Sequence, residues 1–198
     1  KIATPFAWIL SLFMGTTGHY DYATVNALNF FFAMDANWVK DSESFWGLTY
    51  FIWGMIFIVL GTALTWFLYL KSKRTKTVPF LCAAALLLFV ANFGPRMHER
   101  YFYPAVVFLL IAAVLANHKA IFGFFVLSSV LGYLSVLEIL VDLNLGAPWM
   151  WPTLSPLRLL LSWGNVLVAI GVMVVAFMYA FGKIEDGQVN KKIWSVEK

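Results

Sequence analysis

Cysteine is almost missing from this chain. Cys82 is the only one in 198 residues and lies inside an apolar run, which excludes an internal disulfide framework and a thiolate-based metal site. Charge is equally scarce: 12% of the residues are Asp, Glu, Lys or Arg, where a soluble domain carries roughly a quarter. No G-x-S-x-G and no P-loop occurs, and "HERYF" lacks the second histidine of H-E-x-x-H, so zinc is not expected. No basic patch is interleaved with aromatics, which argues against nucleic acid as a partner. No internal repeat and no cofactor motif stands out.

What is present is apolar length. Hydrophobic residues make up 62% of the chain and the mean hydropathy is +0.80, values of an integral membrane protein whose direct partner is the lipid bilayer. Measured against a hydrocarbon core of ~30 Å, five spans are expected at 47–70, 78–93, 101–116, 120–141 and 159–181. The run at 2–14 is too short to cross and reads as the end of an earlier span. With the opening at Lys1, it leads to the expectation that a larger protein's N-terminal part precedes this chain. The expected fold is therefore all-α: a polytopic helix bundle of about five spans, a partial N-terminal span and one interfacial helix. It forms a single transmembrane domain over 1–182, followed by a charged tail, 183–198.

Orientation follows from where lysine and arginine fall. If every span crosses once, "KSKRTK", "NHK", the tail and Lys1 share one side and hold ten of the 14 Lys and Arg. Such a bias marks the cytoplasmic side, C-terminus included. Segments 15–46, 94–100 and 142–158 then become extracytoplasmic. The formal net charge of +4 is on this account mainly a topology signal.

Against that background "NFGPRMHERYFYP", 92–104, is unusual. Gly94-Pro95 breaks the second span, and Arg96, His98, Glu99 and Arg100 follow at the outer boundary. Here arginine needs water, a partner or an anion, and Tyr101 fits an interfacial aromatic belt. If the segment is helical, Arg96 and Arg100 stand four apart on one face and aim both guanidinium forks at one anion. His98 then adds a hydrogen bond, with Glu99 steadying an arginine. A surface ion-pair turn that anchors the loop to lipid headgroups fits the same residues. Further upstream, Tyr22, Asn26 and Asn29 fall at helical spacing and suggest an interfacial helix with its amides toward a cavity. His19, Asn26 and Asn29 suit sugar or acceptor hydroxyls, as they also suit caps and loop hydrogen bonds. Glu138, near the end of its span, needs protein or water around it and has Arg158 or Arg96 as candidate partners. The loop "DLNLGAPWMWPTLSP" places Trp149 and Trp151 where they line a groove or anchor to the interface.

"RMHERYFYPA", preceded by "YATVNALNFF...DANW", resembles the C-terminal half of the GT-C superfamily of integral membrane glycosyltransferases. Within it the chain is most similar to the bacterial and archaeal relatives of the GPI mannosyltransferases. It is more distantly similar to the dolichyl-phosphate-glucose-dependent glucosyltransferases, whose motif is His-Glu-Lys where this chain has Arg100. The likeness covers about 15–116. It implies transfer of a sugar from a polyprenyl- or dolichyl-phosphate carrier to an acceptor at the extracytoplasmic face, without a nucleotide donor. His98 then matches the histidine near the donor phosphate, with Arg96 and Arg100 as helpers and Glu99 and Tyr101 behind them. The resemblance puts the acidic general base in an earlier loop, and Asp21 is the candidate within this chain. A transporter or flippase for a lipid-linked anion, and a noncatalytic membrane scaffold subunit, are the rival readings.

In a Cys82→Ser background, single cysteines at Lys76 and Glu43 should label from opposite sides of the membrane with an impermeant maleimide. Labelling of both from one side would contradict the orientation.

Overall fold

The computed structural model describes residues 4, 6–11, 20–73, 75–144 and 154–187, with 142–144 as backbone alone. His19, Trp149, Trp151 and most of the tail lie outside the described residues. Five long helices carry the fold: α1 Tyr50–Lys71, α2 Thr77–Phe93, α3 Tyr103–Ala116, α4 Lys119–Asn144 and α5 Pro156–Ala180. The protein is an all-α integral membrane bundle, and the helices fall where the apolar runs predict them. Among the described residues four stretches are long and apolar enough to cross: Tyr50–Lys71, Glu99–Ala116, Lys119–Val141 and Pro156–Ala180. The fifth expected span, Thr77–Phe93, has 17 residues, about 26 Å at 1.5 Å per residue.

Each helix begins and ends for a local reason. Thr49 accepts from Ile52 N at 3.2 Å to cap α1, and Ser155 accepts from Arg158 N at 3.2 Å to cap α5, with Pro156 in the first turn. Gly94 leaves the helical region and ends α2, as Gly94-Pro95 predicts. Asn117, at φ 46°, closes α3 in the left-handed conformation, and α4 starts two residues later.

Helix α2 is the hub and packs against α1, α3 and α5. Its seam is made of small residues: Ala84, Ala85 and Ala91 on α2, with Ala105, Ala112 and Ala116 on α3, are all buried. In lipid this matters because helices associate by close packing and hydrogen bonding, with no water to expel. Helix α1 approaches most closely at two glycines. A Cβ on Gly54 would stand 2.3 Å from Pro95 Cδ, and one on Gly61 would stand 2.4 Å from Phe89 Cδ1.

Helices α4 and α5 meet through polar groups as well. Arg158 Nε lies 3.2 Å from Glu138 Oε1 with the Arg158 side chain 8% exposed, so Arg158 takes the role of Glu138's partner. Asn165 Nδ2 donates to Leu28 O and to Ser135 Oγ, both at 2.9 Å, which ties the loop before α1 to both helices.

The bundle has two distinct ends. At one, Lys73 pairs with Glu185 at 3.2 Å, Asp186 accepts from Thr77 at 3.0 Å and Tyr179 at 2.6 Å, and Gly187 N donates to Ala116 O at 2.7 Å. The lysine-bearing connectors thus gather together. At the other end lie 20–49 and 94–102.

The expected interfacial helix is not formed. Within 20–49 only Phe30–Ala33 is helical. The rest is short extended pieces: β1 Thr24–Val25, β2 Ser44–Phe45 and β3 Leu48–Thr49, the last two an antiparallel hairpin. Asn26, Asp35, Trp38 and Trp46 all have positive φ, between 49° and 59°, which no continuous helix allows. The helical spacing of Tyr22, Asn26 and Asn29 misleads because their neighbourhood is set by bonds across the loop. Asn29 caps the short turn by accepting from Phe32 N at 3.0 Å, and Asn26 Oδ1 accepts from Trp38 Nε1 at 2.8 Å.

Gly61→Leu should lower stability by about 1–3 kcal/mol through overpacking against Phe89. Gly123→Ala, whose Cβ would meet nothing within 4 Å, should be tolerated. Thermal unfolding in detergent checks both, and equal melting temperatures would contradict the packing account.

Candidate functional site

The motif arginine and histidine are held in place by backbone pairing. Met97–His98 forms β4, which runs parallel to β1 with Thr24 opposite Met97 and Val25 opposite His98. Arg96 sits just before it at φ 62°, a conformation costing of order 1–3 kcal/mol for a non-glycine residue and fixed here from both sides. Its N–H points to Tyr22 O at 3.1 Å and Ala23 O at 3.2 Å. Its Nε donates to Asp41 Oδ2 at 2.7 Å, and its guanidinium carbon lies 5.0 Å from the Phe51 ring centre. The Asp41 side chain is 7% exposed and that of Arg96 30%, so the carboxylate is buried while the guanidinium keeps an open side toward the recess.

This geometry corrects the helical clamp. After Pro95 the chain bends at Arg96, is extended over Met97–His98, then makes a 3-10 turn over Glu99–Phe102 before α3. Arg96 and Arg100 therefore do not share a helix face. The partner that steadies Arg96 is Asp41, while Glu99 lies 3.6 Å from Arg100, whose side chain is 63% exposed.

His98 is 7% exposed and wedged between two tyrosines, Tyr20 at 4.8 Å and Tyr101 at 5.3 Å between ring centres, both edge-on. Burial lowers its pKa from the usual 6.5; Glu99 opposes the shift and Arg100 reinforces it. The imidazole is thus held toward its neutral form at neutral pH, a state with one N–H donor and one acceptor.

Arg96, His98, Tyr101 and Tyr20 line one recess of about 360 Å³, completed by Pro95 and by Phe51, Met55 and Ile58 of α1. It has a polar head and an apolar flank. Arg100 is not part of this lining. Asn26 and Asn29 are buried and engaged in the loop's own hydrogen bonds. Asn29 also donates to Ala91 O at 3.3 Å, which pins the loop to α2. Asp21 is bound by Lys40, whose Nζ stands 2.8 Å and 2.9 Å from its two oxygens. That hydrogen bond lowers the Asp21 pKa, which makes it a poor proton acceptor. Among the described residues no group of three or more His, Cys, Asp or Glu side chains is placed to hold a metal ion.

Tyr20 and Asp41 were not singled out as partners by sequence reasoning. Their positions, 78 and 55 residues from His98 and Arg96, leave no periodic trace. No protein-family model, curated protein or solved structure matches this chain.

Asp41→Asn should destabilise the fold by about 1–3 kcal/mol, since it replaces a buried charge-assisted hydrogen bond to Arg96 by a neutral one; unfolding in detergent measures it. His98 should titrate below 6.5 by NMR. Because the folded value is depressed, its contribution to stability is present above the unfolded-state pKa and is lost as pH falls through the folded one. A folded-state pKa above 6.5 would contradict the burial argument.

Proposed function

We propose that this protein is a glycosyltransferase, or a portion of one, that takes its sugar from a polyprenyl- or dolichyl-phosphate carrier at the extracytoplasmic face. The observation that carries the reading is the recess itself. A fixed guanidinium, a buried imidazole and two tyrosines meet an apolar wall of α1 in one 360 Å³ space. A ligand with an anionic head and a hydrocarbon tail satisfies both surfaces, and a soluble anion satisfies one. The resemblance of "RMHERYFYPA" to the GT-C motif supports the same donor class.

The chemistry follows from which groups are held still. Departure of a lipid phosphate builds negative charge on its oxygens. Arg96 is held at both ends, its backbone N–H by Tyr22 O and Ala23 O and its Nε by Asp41, so its charge is in place before reaction. A neutral His98 donates one hydrogen bond without demanding a counterion, which suits a dry site. Both interactions strengthen as the leaving oxygen gains charge, and that difference accelerates transfer. The acceptor hydroxyl must lose a proton to a base on the opposite face of the sugar. Asp21, tied to Lys40, is a weak choice for it.

A flippase for a lipid-linked anion is the second reading, and it expects charges or broken helices near mid-membrane on both halves of a path. Among the described residues the spans hold two ion pairs, both close to their loop ends: Glu99 with Arg100 at the start of Glu99–Ala116, and Arg158 with Glu138 between α4 and α5.

With membranes bearing the protein and a radiolabelled polyprenyl-phosphate sugar, His98→Ala should reduce transfer by about 10²-fold or more while leaving the melting temperature near wild type. Arg96→Lys, which keeps a charge for Asp41 and loses the planar fork, should weaken carrier binding. Unchanged turnover in His98→Ala would reject the proposed role.

A further inference from the structure

The lysine-rich end of the bundle, away from the Arg96–His98 recess, has a cavity of its own. Val114 and Asn117 of α3, His118 of the turn, and Lys119, Phe122 and Gly123 of α4 line a space of about 540 Å³, within the ~300–1,000 Å³ of small-ligand sites. The local sequence explains why it is there. Asn117, in the left-handed conformation, reverses the chain so that α4 leaves beside α3. Lys119, Phe122 and Gly123 stand at i, i+3 and i+4 and share one face of α4. Gly123 leaves that face open, since a Cβ there would meet nothing within 4 Å.

The lining is divided by chemistry. Lys119 supplies a cation, and among the described residues no carboxylate pairs with it. His118 Nδ1 accepts from Ala120 N at 3.2 Å, so the ring proton sits on Nε2 and leaves that atom as a donor. No acidic side chain lines the space. The described carboxylates of this end are engaged elsewhere, Glu185 with Lys73 at 3.2 Å and Asp186 with Thr77 and Tyr179 at 3.0 and 2.6 Å. One helical turn further in, the walls are apolar and open outward, with Val114 and Phe122 both exposed. On a bundle in a bilayer such walls meet lipid chains.

We propose that this recess binds an anionic glycerophospholipid, its phosphate between Lys119 and His118 and its chains against Val114 and Phe122. Basic pockets between membrane helices take such headgroups. A soluble anion leaves the apolar walls unused, and a zwitterionic lipid brings a cation of its own toward Lys119. The site is independent of the glycosyltransferase reading, because it shares no residue with the Arg96–His98 recess.

The protein in a non-ionic detergent is titrated with phosphatidylglycerol or phosphatidylcholine of the same acyl chains, and bound lipid is counted by native mass spectrometry. Wild type should bind phosphatidylglycerol at least about fivefold more tightly, the ratio that ~1 kcal/mol per lysine at an anionic surface corresponds to. Lys119→Gln should remove most of that preference, and Lys119→Arg should keep it. Gly123→Leu, which fills the space with the charge in place, should abolish the preference while the melting temperature stays near wild type. Lys76→Gln, an exposed lysine of the same end outside the recess, should keep it. Inorganic phosphate at millimolar concentration should not displace the lipid. Equal affinity of wild type for the two lipids overturns the site. A preference that survives Gly123→Leu, or that Lys76→Gln removes as fully as Lys119→Gln, overturns it in favour of bare surface charge, and displacement by inorganic phosphate overturns it in favour of a soluble anion.

Discussion

Everything at the loop end of this bundle depends on two residues of backbone pairing and one ion pair. Thr24–Val25 lies beside Met97–His98, and Asp41 grips Arg96 at 2.7 Å. Without the strand pairing Met97 and His98 have no reason to stay extended, and without Asp41 the Arg96 guanidinium loses the carboxylate that holds its Nε. Together they hold a guanidinium and an imidazole still at one end of the helix bundle. On the proposed reading, that rigidity prepares the corner to receive an anion.

The bundle supports this corner from below. Asn165 on α5 reaches Leu28 O, Asn29 reaches Ala91 O on α2, and Pro95 rests on the space left by Gly54. Each is a polar or close contact inside an apolar region, where an unmade hydrogen bond is costly. The loop is therefore an integral part of the helix packing. Arg158 and Glu138 add an ion pair between α4 and α5 at the same end, buried enough that neither is left without an opposite charge.

The helices were legible in the sequence because their signal is local: apolar length, Gly94-Pro95 as a stop, and the charged connectors between spans. All five fall close to the runs that predict them, and Glu138 finds Arg158. The loop carries a helical spacing of asparagines without being a helix, because those asparagines serve another purpose. Asn26 and Asn29 answer backbone and indole groups across the loop, a requirement created only by the folded chain. The chemistry-bearing cluster could be located from composition, since charge in an apolar chain is conspicuous. Its internal geometry could not, because Arg96, Asp41, His98 and Tyr20 are brought together by pairings between segments more than 50 residues apart.

The central claim is that Arg96 and His98 form the floor of a phosphate site. A cryo-electron microscopy map of the protein in nanodiscs containing a polyprenyl phosphate addresses it most directly. The account predicts headgroup density within hydrogen-bonding distance of the Arg96 guanidinium and the His98 imidazole, with Asp41 still paired to Arg96. Well-resolved headgroup density elsewhere, with the recess between Tyr20 and Tyr101 filled only by acyl chain, would contradict it.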